Sequence, residues 1–295
     1  MKYAFLILAH NDPVHLRQLV DALDDERFDI YIHLDSKVDD KPYRDASRQR
    51  SSTVRFIDDR FDIRWGGITM VRAMIALYQY ASKTGNYERY TMLSGADYPL
   101  MSPTDIVRFF LESSSVELIA GNRLAGDELR KVTTHNLLEL RSRVLRRLSR
   151  LLLGHVRTKP SHVLIDGRHC PSYFAPQWSS LSEDCVRYLL NTLENNPQIW
   201  RYFKYSYAPD ELMIPTIIFN SPFSATTLAR SFPQGTHYND KCATHYINYE
   251  PVVQVFTLSD YETLVQSGKP FCRKLRTGPS DELILRLIEH NCQDS

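Results

Sequence analysis

The sequence is poor in the features that mark special environments. Its five cysteines, Cys170, Cys185, Cys242, Cys272 and Cys292, are odd in number and never form a Cys-x-x-Cys pair, which argues against a disulfide framework and against a structural zinc site. A reducing compartment is therefore expected. Charge of one sign is also missing: Lys plus Arg total 36 against 35 Asp plus Glu, so no global field draws the chain to nucleic acid, and none is expected as a partner. Long hydrophobic runs are absent. The opening run Tyr3 to Ala9 is too short to span a bilayer and is followed by no small-residue cleavage site, so it reads as a first strand and a cytoplasmic location is expected. With no internal repeat or low-complexity linker, residues 1–295 are expected to form one domain.

What is present is an α/β pattern. Strand candidates Tyr3 to Ala9 and Phe28 to Leu34 bracket a segment whose Val14, Leu16, Leu19, Val20 and Leu23 recur at helical spacing. Asn11-Asp12-Pro13 caps and starts that helix, and the His10-Asn11-Asp12 turn lies at the carboxyl end of the first strand, where open α/β sheets bind ligands. The alternation continues through a strand at Val54 to Ile57, a helix at Thr69 to Tyr80, a strand at Tyr90 to Leu93, a helix at Pro103 to Leu111 and a strand at Val116 to Ala120. A mostly parallel sheet follows from it. Thr158 to Pro176, rich in Pro, His and Gly, reads as a long loop; helices are expected at 183–194, 260–266 and 280–290, with Leu212 to Phe219 entered from Pro209-Asp210-Glu211.

From Glu139 to Arg157 the chain sets Arg141, Arg143, Arg146, Arg147, Arg150 and Arg157 among leucines, the pattern of a basic amphipathic helix. The expectation is an apolar stripe packed on the sheet with solvated arginines. Contact with anionic headgroups or an acidic acceptor is the alternative.

Five constellations can carry chemistry. Asp35 ends a strand, where an acid can bond a ribose hydroxyl or a base N–H, or merely cap the strand. Arg64-Trp65-Gly66-Gly67 joins a stacking face to a permissive backbone, or is a turn beside a core Trp. Asp97, in Ser94-Gly95-Ala96-Asp97, has no second carboxylate two residues away to help hold a divalent ion. Asp210 and Glu211 begin a helix, whose N-terminus favours their ionised forms; one could deprotonate a hydroxyl, or Asp210 could be a plain N-cap with Glu211 its companion. Arg273, Lys274 and Arg276 could neutralise a leaving diphosphate in place of a metal, or form a solvated turn.

In this order the segments Ala4 to His10, His33 to Lys37, Trp65-Gly66-Gly67, Leu93 to Leu100, Gln177 to Ser182, Pro209-Asp210-Glu211 and Arg273-Lys274-Leu275 resemble the Core-2/I-branching family of β-1,6-N-acetylglucosaminyltransferases, which includes the peptide O-xylosyltransferases. The likeness is to its compact bacterial branch without a membrane anchor. The resemblance implies a GT-A-like, Rossmann-type mixed sheet flanked by helices, with residues 1–120 as the nucleotide-sugar-binding half and 121–295 as the acceptor and catalytic half. It also implies a UDP-sugar donor carrying GlcNAc or a xylose-like sugar, inversion at the anomeric carbon and no metal or other cofactor. Glu211 matches the family's catalytic base, and Lys274 with Arg273 matches its diphosphate-holding element. Asp35 matches the nucleoside-binding acid, with His10, Trp65, Gly66 and Asp97 on the donor side. Gln177 and Trp178 match a segment beside the donor and acceptor pocket, with Asp210 assigned to the acceptor.

One position departs from the family. Where members carry an Arg that grips the diphosphate, this chain has His245, which is expected to replace it as a titratable donor contact. The expected acceptor is a glycan or lipid-linked oligosaccharide of a bacterial surface polysaccharide, with peripheral contact to the inner membrane through 139–157. The rival readings are a metal-dependent transferase using Asp97 and a non-catalytic sugar-nucleotide-binding or carbohydrate-binding protein.

Overall fold

The computed structural model describes residues 1–44, 50–137, 139, 142–153, 159–233, 236–249 and 252–293. Four parallel strands, β1 (Tyr3–Ala9), β2 (Phe28–Leu34), β3 (Thr53–Phe56) and β4 (Arg89–Ser94), lie in the order β3-β2-β1-β4, with helices α1 (Pro13–Ala22) and α2 (Ile68–Thr84) packed on opposite faces. Every position of β1 and β2 is buried. Their side chains nonetheless alternate in space: Tyr3, Phe5, Ile7 and Ala9 join the core that contains α1, and Ala4, Leu6 and Leu8 join the core that contains α2. At the start of α1 the Asp12 carboxylate accepts from the His15 N–H at 3.1 Å, and Pro13 occupies the first turn.

β5 (Asp97–Pro99) leaves the main sheet, and α3 (Pro103–Glu112) returns the chain to β6 (Glu117–Ala120) and the short β7 (Asn122–Arg123). Then come α4 (Arg130–Thr133) and α5 (Arg143–Leu153). The stretch expected as a long loop over 158–176 instead holds a hairpin, β8 (His162–Ile165) and β9 (Arg168–Pro171), followed by β10 (Tyr173–Phe174) paired with β7. Asp166 and Gly167 turn the hairpin with φ of 48° and 76°, the left-handed pair that a two-residue turn requires. β11 (Ser180–Ser182) inserts antiparallel between β4 and β6. Helices α6 (Glu183–Asn195), α7 (Pro197–Phe203) and α8 (Met213–Phe219) follow, and β12 (Thr227–Ala229) runs parallel along β6. The result is a seven-stranded mixed sheet flanked by helices, so the α/β class and the mostly parallel sheet hold, with β11 as the one strand running antiparallel to its neighbours.

The last quarter of the chain adds α9 (Tyr238–Lys241), β13 (His245–Ile247), α10 (Tyr261–Gln266), β14 (Phe271–Arg273) and α11 (Asp281–Gln293). β14 pairs with β13 and, antiparallel, with β5, which sets Arg273 opposite Asp97. This small sheet and helices α10 and α11 share a third core around Tyr98, Leu275 and Leu287.

α5 is the expected basic helix, although Leu140, Arg141 and Arg157 lie outside the described residues. The packed apolar stripe is not observed: Val144, Leu145, Leu148, Leu151 and Leu152 are between 49% and 74% exposed. Residues of α2, α6 and α8 already fill the core on one face of the sheet, and residues of α1 and α3 fill it on the other. Among the described residues no helix is long and apolar enough to cross a membrane.

Candidate active site

The carboxyl ends of β1, β2 and β4 open into a cavity of about 260 Å³. His10, Asp35 and Ser94 come directly from those strand ends; Lys37, Trp65, Gln177 and Arg273 supply the other polar and aromatic groups of the wall. A larger groove of about 570 Å³ between α1 and α11 has no cation in its wall, so the smaller cavity, where unlike polar groups converge, is the better site for an anionic ligand.

Asp35 is buried and accepts from the Lys37 backbone N–H and ammonium, both at 2.9 Å. The same ammonium reaches Asp62 at 3.1 Å. Arg60 donates to the carbonyls of Leu34 and Asp35 at 3.1 and 2.9 Å, and the Phe61 N–H donates to His33 Nε2 at 3.0 Å. Burial lowers His33 to about 4, which keeps it the neutral acceptor this bond needs. These contacts fasten the segment leading to Trp65 over the end of β2. Trp65 itself is 68% exposed and sits edge-on to Tyr207. Partial burial lowers the pKa of His10, and the charges of Arg273, Lys37 and Arg276 push the same way against the pull of Asp35. Asp12 ties the basic segment to this end of β1, accepting from the Thr277 N–H at 2.9 Å and the Thr277 hydroxyl at 2.6 Å.

Behind the cavity lies Asp97, with a fully buried side chain. It accepts from the Ser94 N–H at 2.6 Å, the Ser94 hydroxyl at 2.8 Å, Arg273 Nη1 at 2.9 Å and His245 Nε2 at 3.2 Å. Burial alone would raise its pKa, but the Arg273 charge and the His245 and Ser94 bonds hold it at about 2. His245, equally buried, is driven towards its neutral form by desolvation, so its contact with Asp97 is a hydrogen bond and not an ion pair. Its Nδ1 meets the Thr244 hydroxyl at 2.9 Å. The Arg273 guanidinium lies 4.7 Å over the Trp178 ring. The expectation that Asp97 and His245 face the donor is therefore corrected: neither has exposed side-chain surface, Asp97 holds Arg273, which lines the cavity, and His245 bonds Asp97.

Glu211 sits on a different frame. Pro209–Glu211 form one 3-10 turn, and α8 begins after it with Leu212 as its cap residue. Asp210 is thus not the N-cap, and the expected shift towards ionised carboxylates is reversed, because burial raises the pKa of both Asp210 and Glu211 and the charge of Asp210 raises that of Glu211 further. The Tyr238 hydroxyl donates to Glu211 Oε1 at 2.7 Å, and this bond and the charge of Lys131 oppose the rise. Asp210 Oδ1 has no hydrogen-bond partner among the described residues. The turn is joined to the cavity wall on two sides. The Ala208 N–H donates to the Gly66 carbonyl at 3.2 Å, with φ of 49° at Ala208 and 71° at Gly66, and the Ala175 N–H donates to the Glu211 carbonyl at 3.0 Å, two residues before Gln177.

The structure therefore gathers His10, Asp35, Trp65, Gln177 and Arg273 at one cavity, with Gly66 linking it to Glu211. Trp178 is buried under Arg273 and His245. Lys274 is partly buried beside Arg273 and Arg276; burial first, and then those two charges, lower its pKa. Its ammonium makes no hydrogen bond or ion pair with a described residue, and it lies outside the cavity wall. Gln177 Oε1 is buried without a partner among the described residues, an acceptor that a ligand donor could meet. Among the described residues no three His, Cys, Asp or Glu side chains are grouped to hold a metal. Two functional groups were missed in the sequence. Lys37 was part of the His33 to Lys37 run, but its pairing with Asp35 needs the fold. Tyr238 lies 27 residues from Glu211 and has no local signal.

Comparison with solved structures gives only distant likenesses. TarS from S. aureus is 14% identical with a TM-score of 0.37 over 78% of this chain and 35% of its own, so the chain spans about a third of that protein. A cytidylyltransferase from Leptospira borgpetersenii is 13% identical with a TM-score of 0.40 over 100% of this chain and 95% of its own. Mouse xyloside xylosyltransferase 1 is 10% identical with a TM-score of 0.37 over 92% and 97%. No curated protein matches. The family model described as Core-2/I-Branching enzyme, in contrast, matches residues 3–264, which include every cavity residue except Arg273. The chain belongs to the Core-2/I-branching enzyme family and is a glycosyltransferase.

Proposed function

We propose that this glycosyltransferase moves a sugar from a UDP-sugar to a glycan hydroxyl by one inverting displacement without a metal ion, with Glu211 as the base. The observation that carries the reading is a carboxylate whose pKa burial raises towards neutrality, held by Tyr238 at 2.7 Å and joined through Gly66 and Ala175 to a cation-bearing cavity. A base with a pKa near the working pH combines adequate population with adequate driving force. Glu211 takes the acceptor O–H proton, and the oxygen forms its bond to the anomeric carbon as the bond to the β-phosphate oxygen breaks. The departing electron pair stays on the diphosphate, which Arg273 neutralises from the cavity wall and Lys274 from beside it. The donor falls to Asp35, His10 and Trp65, and the acceptor side to Gln177, with Trp178 and Asp210 assigned to the same side. Asp97 supports the metal-free reading, since a divalent ion there would have to displace Arg273 and His245 from a fully buried carboxylate. A role in bacterial surface polysaccharide synthesis is part of the same proposal.

Calorimetric titration of UDP, UDP-GlcNAc and UDP-xylose in EDTA and then with Mn²⁺ tests the donor side. Binding in EDTA that Lys274→Ala weakens is the expected result. Binding that appears only with Mn²⁺ would replace this reading by the metal-dependent one, and no binding in either condition would refute the UDP-sugar assignment.

A further inference from the structure

α5 runs Arg-Val-Leu-Arg-Arg-Leu-Ser-Arg-Leu-Leu-Leu from Arg143 to Leu153. At 100° per residue, Val144, Leu145, Leu148, Leu151 and Leu152 fall within one apolar arc, and the positions of Arg143, Arg146, Arg147 and Arg150 fall on the opposite side. The apolar arc is exposed. A helix that leaves five large apolar side chains in water while its other face carries four arginines, with Ser149 and Leu153 beside them, is badly matched to solvent and well matched to the boundary of an anionic bilayer. There the apolar arc enters the acyl region while the arginines meet phosphate headgroups. No acidic residue lies between 143 and 153, so every charge of the helix attracts the same surface.

Its placement adds to the case. Glu139, four residues before α5, accepts from the Thr69 N–H and hydroxyl at 3.0 Å in the first turn of α2, directly after Trp65-Gly66-Gly67. Glu139 is thus held against the helix that follows the Trp65 segment of the cavity wall.

We propose that α5 docks the protein on an anionic phospholipid surface, lying in the plane of the membrane with Leu145, Leu148 and Leu152 inserted. The test is co-sedimentation of the full chain with phosphatidylcholine vesicles containing increasing phosphatidylglycerol, at low and high salt. Wild type is expected to pellet only with the anionic vesicles and to be released in part by salt. Leu145→Ser, Leu148→Ser and Leu152→Ser together are expected to weaken binding by more than about a hundredfold. Each arginine among Arg146, Arg147 and Arg150 changed to Ala is expected to cost about fivefold on the anionic vesicles. An unchanged melting temperature shows that the variants fold. Wild type that stays in the supernatant at every composition, or leucine variants that pellet like wild type, would overturn the proposal. So would a wild-type dimer in light scattering that the leucine variants lose without any vesicle binding, since it would assign the face to a second copy.

Discussion

Asp97 and Glu211 are both carboxylates taken largely out of water, and they end on opposite sides of their ordinary pKa. Asp97 is met by a guanidinium, an imidazole and two donors of Ser94, and it stays ionised down to about 2. Glu211 receives one hydroxyl at 2.7 Å and has a second carboxylate as its neighbour, so its pKa rises. The difference separates two uses of a buried acid. A fully bonded carboxylate fixes other groups in place, here Arg273, whereas an under-bonded one retains a proton affinity high enough to take a proton from a substrate.

The largest expected break in this comparison is Glu211→Gln, which should reduce transfer by about 10²- to 10⁴-fold while leaving UDP affinity and folding intact; steady-state kinetics beside calorimetry would check it. Asp97→Asn should do the reverse. It leaves Arg273 without its buried counter-charge and should lower stability by about 3–5 kcal/mol in denaturant titrations, with donor binding falling because Arg273 loses its anchor.

A smaller effect sharpens the contrast through pH. The depressed pKa of Asp97 means that its contribution to stability is complete above the ordinary carboxylate range and is lost as pH falls towards about 2. Asp210 and Glu211 have raised values, so the fold prefers them protonated and loses stability as pH rises from the ordinary carboxylate range through those values. Asp210→Asn should therefore raise Tm at neutral pH by about 2–4 °C, the size of a 1 kcal/mol gain. The gain should shrink at acid pH, where Asp210 already carries its proton; calorimetric melting at two pH values distinguishes the outcomes.

The two regions were also unequally legible in the sequence. β1, β2, β4 and the helices between them follow from local apolar pattern and caps, as Asp12 and Pro13 illustrate, so the strand ends bearing His10, Asp35 and Ser94 could be placed. Asp97 could be singled out as an acid after a strand, but its burial depends on β14 lying beside β5, a pairing 174 residues apart at Cys272 and Tyr98 that no local pattern encodes. The contact of His245 with Asp97 depends on the same small sheet, through β13 beside β14. The Asp166-Gly167 hairpin was legible in principle, since Asp-Gly between Val163-Leu164-Ile165 and a following strand is a turn signal; the surrounding Pro, His and Gly outweighed it. The protonation preference of Glu211 was not legible, because helix-end chemistry argued for ionisation and only the packed surroundings reverse it.

The most direct test of Glu211 as a working base is the pH dependence of kcat at saturating UDP-sugar. The account predicts that kcat falls as pH drops through a limb well above the ordinary carboxylate range, and that the residual rate of Glu211→Gln lacks this limb. A wild-type rate that stays flat from neutral pH down into the ordinary carboxylate range, or a Glu211→Gln rate that keeps the limb, would contradict it.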